Sequence, residues 1–522
     1  MKKSFGIIGT HATKIGIIIA LLLISSMINY RLDLSQDKAY SLSKISKTLV
    51  RNLEDVMVVK IISSQELPAD LNSLSRYTND LLSEYQSAGR GKFRYEYLRP
   101  ASRDELYQLA QANALRPMRF QIFENDQMTS KEVIFGMVFE YQGRVESMNL
   151  MPRLEPKLEY EMTMRIQSLV SENLPKVAVF RDSTYYHFNT RFFERGIRSN
   201  FKVSDADLSQ PLSDIDALLF TGASRNLPEE YLYHLDQYLM QGGNVVFLQD
   251  RVDTDGSMLY SLDTNVIRML EHYGFTLSRD VLLDMNNDQR QMGIGNMANF
   301  PMYPIMRGGQ HPISKNMDYI VLYLASGITI AQKDGLKYET ILQSSPYSGW
   351  MRYPDFNIGE NLFFNPELED FTAGPIITAA MATGSFTSYF AGTELAASDP
   401  QFRASAETAN LLLFADKELV IDPDNPLYND RSNVILNALD YFSGRPDMIR
   451  IRNRHLSSSI LSVQAFMEKY GLIWADVQKT DHHIKLITKI TAIALPSLIL
   501  ILVGAWMAFR RKLKIKAINE AK

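Results

Sequence analysis

The sequence contains no cysteine. That absence excludes disulfides, thiolate metal sites and cysteine nucleophiles together, so the folded parts of the chain stand on packing and hydrogen bonds. A serine elbow is missing as well: Gly308, Gly309, Ser348 and Gly349 do not give the pattern G-x-S-x-G, and no other stretch does. No G-x-x-x-x-G-K-[ST] loop occurs, so the chain has no phosphate cradle of the kind that binds ATP. Charge of one sign is lacking too. Lysine and arginine number 55 against 59 acidic residues, a net charge of −4, and no basic patch is interleaved with aromatics, so nothing electrostatic points to nucleic acid. The 8 histidines are scattered, and their one close pair is His482-His483.

Long apolar runs are present at both ends. Ile490 to Phe509 is mostly apolar and is followed by Arg510, Arg511, Lys512, Lys514 and Lys516, the pattern of a bilayer-crossing helix with a cytoplasmic basic flank. Near the start, Lys2, Lys3 and Lys14 precede an apolar run from Ile15 to Tyr30. It runs into Arg31 without an A-x-A site, which reads as an uncleaved anchor and not as a signal peptide. The expectation is a two-span protein of the bacterial inner membrane with both termini cytoplasmic. Its bulk, Arg31 to Lys485, then lies in the periplasm.

Within that bulk, Ser41 or Ser43 can cap a short helix through Leu49, and Val56 to Ile62 reads as a strand. Leu71, Leu74, Thr78, Leu81 and Tyr85 recur at helical spacing; Lys92 to Leu98 alternates as a strand; a helix follows at Arg103 to Ala114. Met118 to Glu124 and Glu132 to Gln142 complete a β-α-β-α-β-β order, that of a thioredoxin-like module without thiol chemistry. After a helix marked by Leu158, Met162, Ile166 and Leu169, strands at Lys176–Phe180, Ala217–Phe220 and Asn244–Leu248 alternate with a helix at Glu229–Met240. Such alternation predicts a parallel, doubly wound α/β sheet whose ligand crevice lies beyond the strand ends. Those ends carry Arg181, Asp182, Thr221, Gly222, Gln249 and Asp250.

Tyr40-Ser-Leu-Ser, Tyr77-Thr-Asn-Asp-Leu-Leu-Ser-Glu-Tyr85, Gln241-Gly-Gly-Asn-Val-Val-Phe247 and Asn433-Val-Ile-Leu-Asn-Ala-Leu-Asp-Tyr441 together resemble the auxiliary proteins of ABC transporters of the gliding-motility GldG type. The resemblance implies an N-terminal α/β module followed by a domain similar to class I glutamine amidotransferases. It also implies partners, an ABC permease and a separate ATPase subunit, and it does not imply motility. The amidotransferase likeness does not bring the activity with it, because that chemistry needs a thiolate and the chain has no cysteine.

Three other patterns read as ordinary loops. Gly293-Ile-Gly-Asn-Met-Ala298 has G-x-G-x-x-A spacing but is preceded by polar residues and followed by Pro301, not by the strand and helix a dinucleotide site needs. Asp250, Asp253 and Asp255 before Gly256 lack EF-hand spacing and read as a solvated loop. Asp422, Asp424 and Asp430 share a proline-bearing turn region. From Leu456 to Trp474 a heptad-like stripe that includes Ile460, Met467 and Trp474 suits a partner's helix, the bilayer surface or its own domain.

The sequence therefore predicts five segments: 1–34 with the first span, 35–152 the thioredoxin-like module, 153–455 the amidotransferase-like domain, 456–485 a juxtamembrane helix, and 486–522 with the second span. The function expected is that of a non-enzymatic auxiliary component of an ABC transport system, with no cofactor and no metal, binding a substrate or an envelope partner. The alternatives are an exported hydrolase on glycan or peptide, with Asp182 and Asp250 as first suspects, and a scaffold for an envelope polymer.

Overall fold

The computed structural model describes residues 41–453, apart from 99, 125–126, 171–173, 184, 289, 292–296, 318, 358–367 and 423–430. The first module is built on Met57–Ser63 (β1). Helix α1 (Lys44–Arg51) precedes it, capped by the Ser43 hydroxyl, which accepts from the Ser46 N–H. Helix α2 (Asn72–Ala88) then crosses over to Phe93–Leu98 (β2), which pairs parallel to β1. Parallel pairing requires such a crossover, and Leu74, Thr78, Leu81 and Tyr85 form its buried stripe.

After α3 (Arg103–Ala112) the chain differs from the sequence reading. Met118–Glu124 (β3) and Gln127–Val133 (β4) pair with each other in a two-stranded sheet of their own, while Phe135–Tyr141 (β5) and Arg144–Asn149 (β6) complete the main sheet in the order β2-β1-β5-β6. The turn between β5 and β6 holds Gln142 at φ 48° and Gly143 at φ 76°, the left-handed pair that suits a two-residue hairpin. Successive β5 residues face opposite layers. Phe135, Met137 and Phe139 join the core under α1, α2 and α4 (Glu155–Val170), whereas Ile134 and Val138 meet Leu106 and Ala110 of α3.

The second sheet has nine strands. Its parallel half comprises Lys176–Phe180 (β7), Lys202–Asp205 (β8), Ala217–Phe220 (β9), Asn244–Leu248 (β10) and Ala409–Phe414 (β22). Here the strands are buried on both faces: Leu218, Phe220, Val245 and Phe247 lie under α6 (Glu229–Met240) and α7 (Asn265–His272), and Leu219, Val246 and Leu248 lie under α5 (Arg191–Asn200) and α9 (Arg431–Phe442). Near-continuous apolar strands follow from that double cover.

Between β10 and β22 the chain builds Val252–Thr254 (β11), Leu259–Ser261 (β12), Phe275–Asp284 (β13), Arg290–Gln291 (β14) and Met297–Ala298 (β15). It continues with Ile305–Gly308 (β16), Ile320–Val321 (β17), Ser326–Ile330 (β18), Leu336–Gln343 (β19), Ser348–Met351 (β20) and Ile377–Gly384 (β21). Of these, β17, β16, β19 and β21 extend the large sheet antiparallel from β22, in the full order β17-β16-β19-β21-β22-β10-β9-β7-β8. The doubly wound sheet expected from the sequence is thus corrected to a mixed one. No α-helix intervenes between β16 and β21 among the described residues, and strands joined without crossovers run antiparallel.

The two-span fold class is corrected as well. The described chain is mixed α/β, and none of its helices is long and apolar enough to cross a membrane. The runs Ile15–Tyr30 and Ile490–Phe509, and the stripe with Ile460, Met467 and Trp474, lie outside the described residues.

Helix α10 (Pro446–Arg452) returns to the first module. Met448 and Ile451 pack on Tyr160 and Met164 of α4, and the buried Arg452 guanidinium bonds to Tyr160 Oη (3.0 Å), Asn437 Oδ1 (2.6 Å), Asn200 Oδ1 (3.1 Å) and Asp440 Oδ2 (2.5 Å). The short helix α8 (Glu394–Ser398) sits in the loop before β22.

Candidate functional site

Strands β22, β10, β9 and β7 are neighbours and end along one edge of the large sheet. Ligands of open α/β sheets gather at such an edge. All six crevice residues read from the sequence stand there, but they do different things. Arg181 turns sideways, its guanidinium 2.8 Å from Glu194 and 2.5 Å from Asp205. The Thr221 hydroxyl donates back to the Phe180 carbonyl at 2.8 Å. Gln249 staples the next loop, accepting from the Ala223 N–H at 3.0 Å and donating to the Ala223 and Asp250 carbonyls. Gly222 has φ +98°, and a Cβ there would come within 3.0 Å of the Leu248 carbonyl and 3.2 Å of Lys417 Cβ, so the close approach of the β9 and β22 ends requires glycine. Asp182 accepts the N–H of Ser224 at 3.1 Å and of Tyr185 at 3.3 Å.

The centre of the edge comes from β22, whose apolar run Leu411–Phe414 reads as a short strand but whose end is not among the crevice residues read from the sequence. Asp416, Lys417 and Glu418 follow that strand, with Lys417 opening a 3-10 turn, Lys417–Val420. The Lys417 ammonium donates to Asp253 Oδ2 at 2.5 Å and lies 3.5 Å from Asp250 Oδ2 and 3.4 Å from the Ser224 hydroxyl. Its backbone N–H donates to Asp250 Oδ1 at 2.7 Å. Burial alone would lower the lysine's pKa, but Asp250 and then Asp253 outweigh it and hold the ammonium above its ordinary range. For Asp250 burial dominates, opposed by Lys417 and reinforced by Asp416, and the carboxyl is pushed up to about 7. Glu418 is pushed well above the usual range, by desolvation first and then by Asp250 and Asp416. Asp416, also raised by burial, accepts the Tyr323 N–H at 2.8 Å and faces Arg431, whose guanidinium stacks 3.9 Å above the Tyr323 ring.

The solvated loop expected for Asp250, Asp253 and Asp255 is therefore corrected. Asp255 does cap an exposed turn, accepting from Ser257 and Met258, whereas Asp250 and Asp253 are buried. One oxygen each of Asp250, Asp253 and Glu418 lies within 4.8 Å of the others, a donor set of the type hard divalent cations take. Lys417 already supplies positive charge among them. A lysine held protonated is neither a base nor a nucleophile, and an Asp250 that is 2% exposed stands behind it. The arrangement is a charge-compensated plug.

Comparisons place these features in a known group. A family model described as "ABC-type uncharacterized transport system" matches residues 174–440, and a second, described as a domain of unknown function (DUF7088), matches residues 36–140. No curated protein matches the chain. Among solved structures, one described as "mmIFT52 N-terminal domain" is similar at 12% identity and a TM-score of 0.33, covering 51% of this chain and 97% of that one, a likeness too weak to bear on function. The match over 174–440 takes in more than half of the chain, from just before β7 into the last turn of α9, and the protein belongs to the ABC transport system auxiliary family.

Proposed function

We propose that the protein is a non-catalytic component of its ABC transport system, acting with a separate permease and a separate ATPase subunit and binding a substrate or envelope partner through its described domains. Membership of the auxiliary family supports association with a transporter, and the missing ATP-binding loop leaves energy supply to another chain. The observation that carries the non-catalytic reading is the Lys417 plug. The strand-end crevice, where an α/β enzyme keeps its reacting groups, is filled by the chain's own ammonium and two buried carboxylates. The hydrolase alternative loses support because Asp182 is engaged by backbone N–H groups of Ser224 and Tyr185 and Asp250 by Lys417.

The test is affinity purification of the full chain from its native cells after mild detergent extraction, with the co-purifying proteins identified by mass spectrometry. An ATPase subunit and a multi-span permease should be enriched together. Their absence, or turnover of ester, amide or glycoside substrates that Asp250→Asn abolishes, would overturn the reading.

A further inference from the structure

One residue along from Asp250, on the opposite side of the strand end, the buried Arg251 is short of acceptors. Its residue is 5% exposed, and neither Nε nor Nη1 has a hydrogen-bond partner among the described residues. Buried guanidinium donors left unmet are costly, so they mark a place where an acceptor belongs. Nη1 points at Asp263 but stops 3.7 Å from Oδ1. Two more arginines stop equally short of the same carboxylate: Arg268 at 3.8 Å and Arg279 at 4.0 Å. Three guanidinium groups, from the loop after β10, from α7 and from β13, thus surround one exposed carboxylate, each just beyond hydrogen-bond reach.

We propose that Arg251, Arg268 and Arg279 form a binding site for a tetrahedral oxyanion, the phosphate or sulfate group of a ligand. The guanidinium fork matches such oxygens in pairs. Arg251 is the fixed floor, buried and preorganised, and Arg268 and Arg279 are the exposed walls. The charged groups that act on Arg251 are Asp263, Glu271, Arg268 and Arg279, so arginines outnumber carboxylates there and the cluster carries excess positive charge. Helix α7 adds to it. Thr264 caps that helix, and Asp263 and Arg268 flank its first turn, where the positive end of the helix dipole favours an anion. Asp263 is 60% exposed in its side chain and can swing into water when a stronger anion enters. This inference does not depend on the transporter reading, since it rests on Arg251 and its neighbours alone.

The experiment is calorimetric titration of the full chain with inorganic phosphate, sulfate and acetate, each against chloride at constant ionic strength. Phosphate and sulfate should both bind with a dissociation constant below about 1 mM, and acetate should not compete. Arg279→Gln, at an exposed position, should weaken phosphate at least about tenfold, which is roughly 1.4 kcal/mol, and Arg251→Gln should weaken it further. Asp263→Asn, which removes the internal competitor, should tighten it roughly threefold or more. Absence of phosphate and sulfate binding, binding by acetate alone, or unchanged binding in a folded Arg279→Gln protein would each overturn the proposal.

Discussion

Lys417 stabilises the fold only as long as its charge stays opposite Asp250 and Asp253, since all three are buried. Removing one partner of a buried ion pair costs about 3–5 kcal/mol, because the other is left uncompensated. Lys417→Met should therefore lower the unfolding free energy by about that amount at pH 8, and by less at pH 5.5, where Asp250 escapes by taking a proton. Urea denaturation at the two pH values measures both. A second buried acid behaves differently. Asp284 accepts from Asn286 N–H, Ser345 N–H and the Ser345 hydroxyl, yet burial outweighs these bonds and lifts its pKa from 3.8 to about 6. The folded state then holds the proton more tightly than the unfolded one. The stability this confers is present below pH 4 and lost as pH rises through 6, on the order of 3 kcal/mol. Unfolding measured across that window should depend less on pH in Asp284→Asn than in the parent protein. The sequence showed Asp250 at a strand end but hid Lys417, its partner from 167 residues further on. The available signal was local: Asp416-Lys417-Glu418 directly follows an apolar strand of the parallel type, the position where side chains enter a crevice.

Among the elements, legibility tracks burial. The strands Lys176–Phe180, Ala217–Phe220 and Asn244–Leu248 and the helix Glu229–Met240 stand at the boundaries the sequence predicts, because both strand faces are apolar and the helix stripe is periodic. Strand β6 was not visible. It is an edge strand, with Arg144, Val145 and Glu146 exposed, so no alternation of buried and exposed residues betrays it. Most of the antiparallel half of the large sheet escaped for another reason, although Tyr319 to Leu324 reads as a short strand and contains β17. The strands of that half are interleaved with β18 and β20, which pair with β13 in a different sheet, and pairing partners so scattered leave no local mark. Helix α10 offers the test at this scale. Arg452 ties it to α4, α5 and α9 at once, and Arg452→Ala would strand Asp440 with Arg445 as its remaining cation. A loss of about 3 kcal/mol is expected, against about 2 kcal/mol for Tyr160→Phe, which removes two hydrogen bonds, the one its hydroxyl donates to Asn200 Oδ1 and the one it accepts from Arg452 Nε. Hydrogen exchange should show α10 and the adjoining turn of α4 opening first in the alanine variant.

For the whole molecule, the decisive feature is that β22 lies between β10 and β21. Strand β10 ends at Leu248 and β22 begins at Ala409, so the middle of the sheet is closed by one of the last strands to be made. During synthesis, at about 5–20 residues per second, the β7–β10 half waits for about 8–30 s with one long apolar edge unpaired. An edge of that kind is a template for the wrong neighbour. Every antiparallel strand beyond it is also held at a distance from the first half until β22 arrives, so neither half of the sheet can serve as a finished template for the other. The ribosome, more than the order of strands in space, sets when this sheet can exist, and a nascent chain halted before Ala409 is the form in which the protein is most in need of protection.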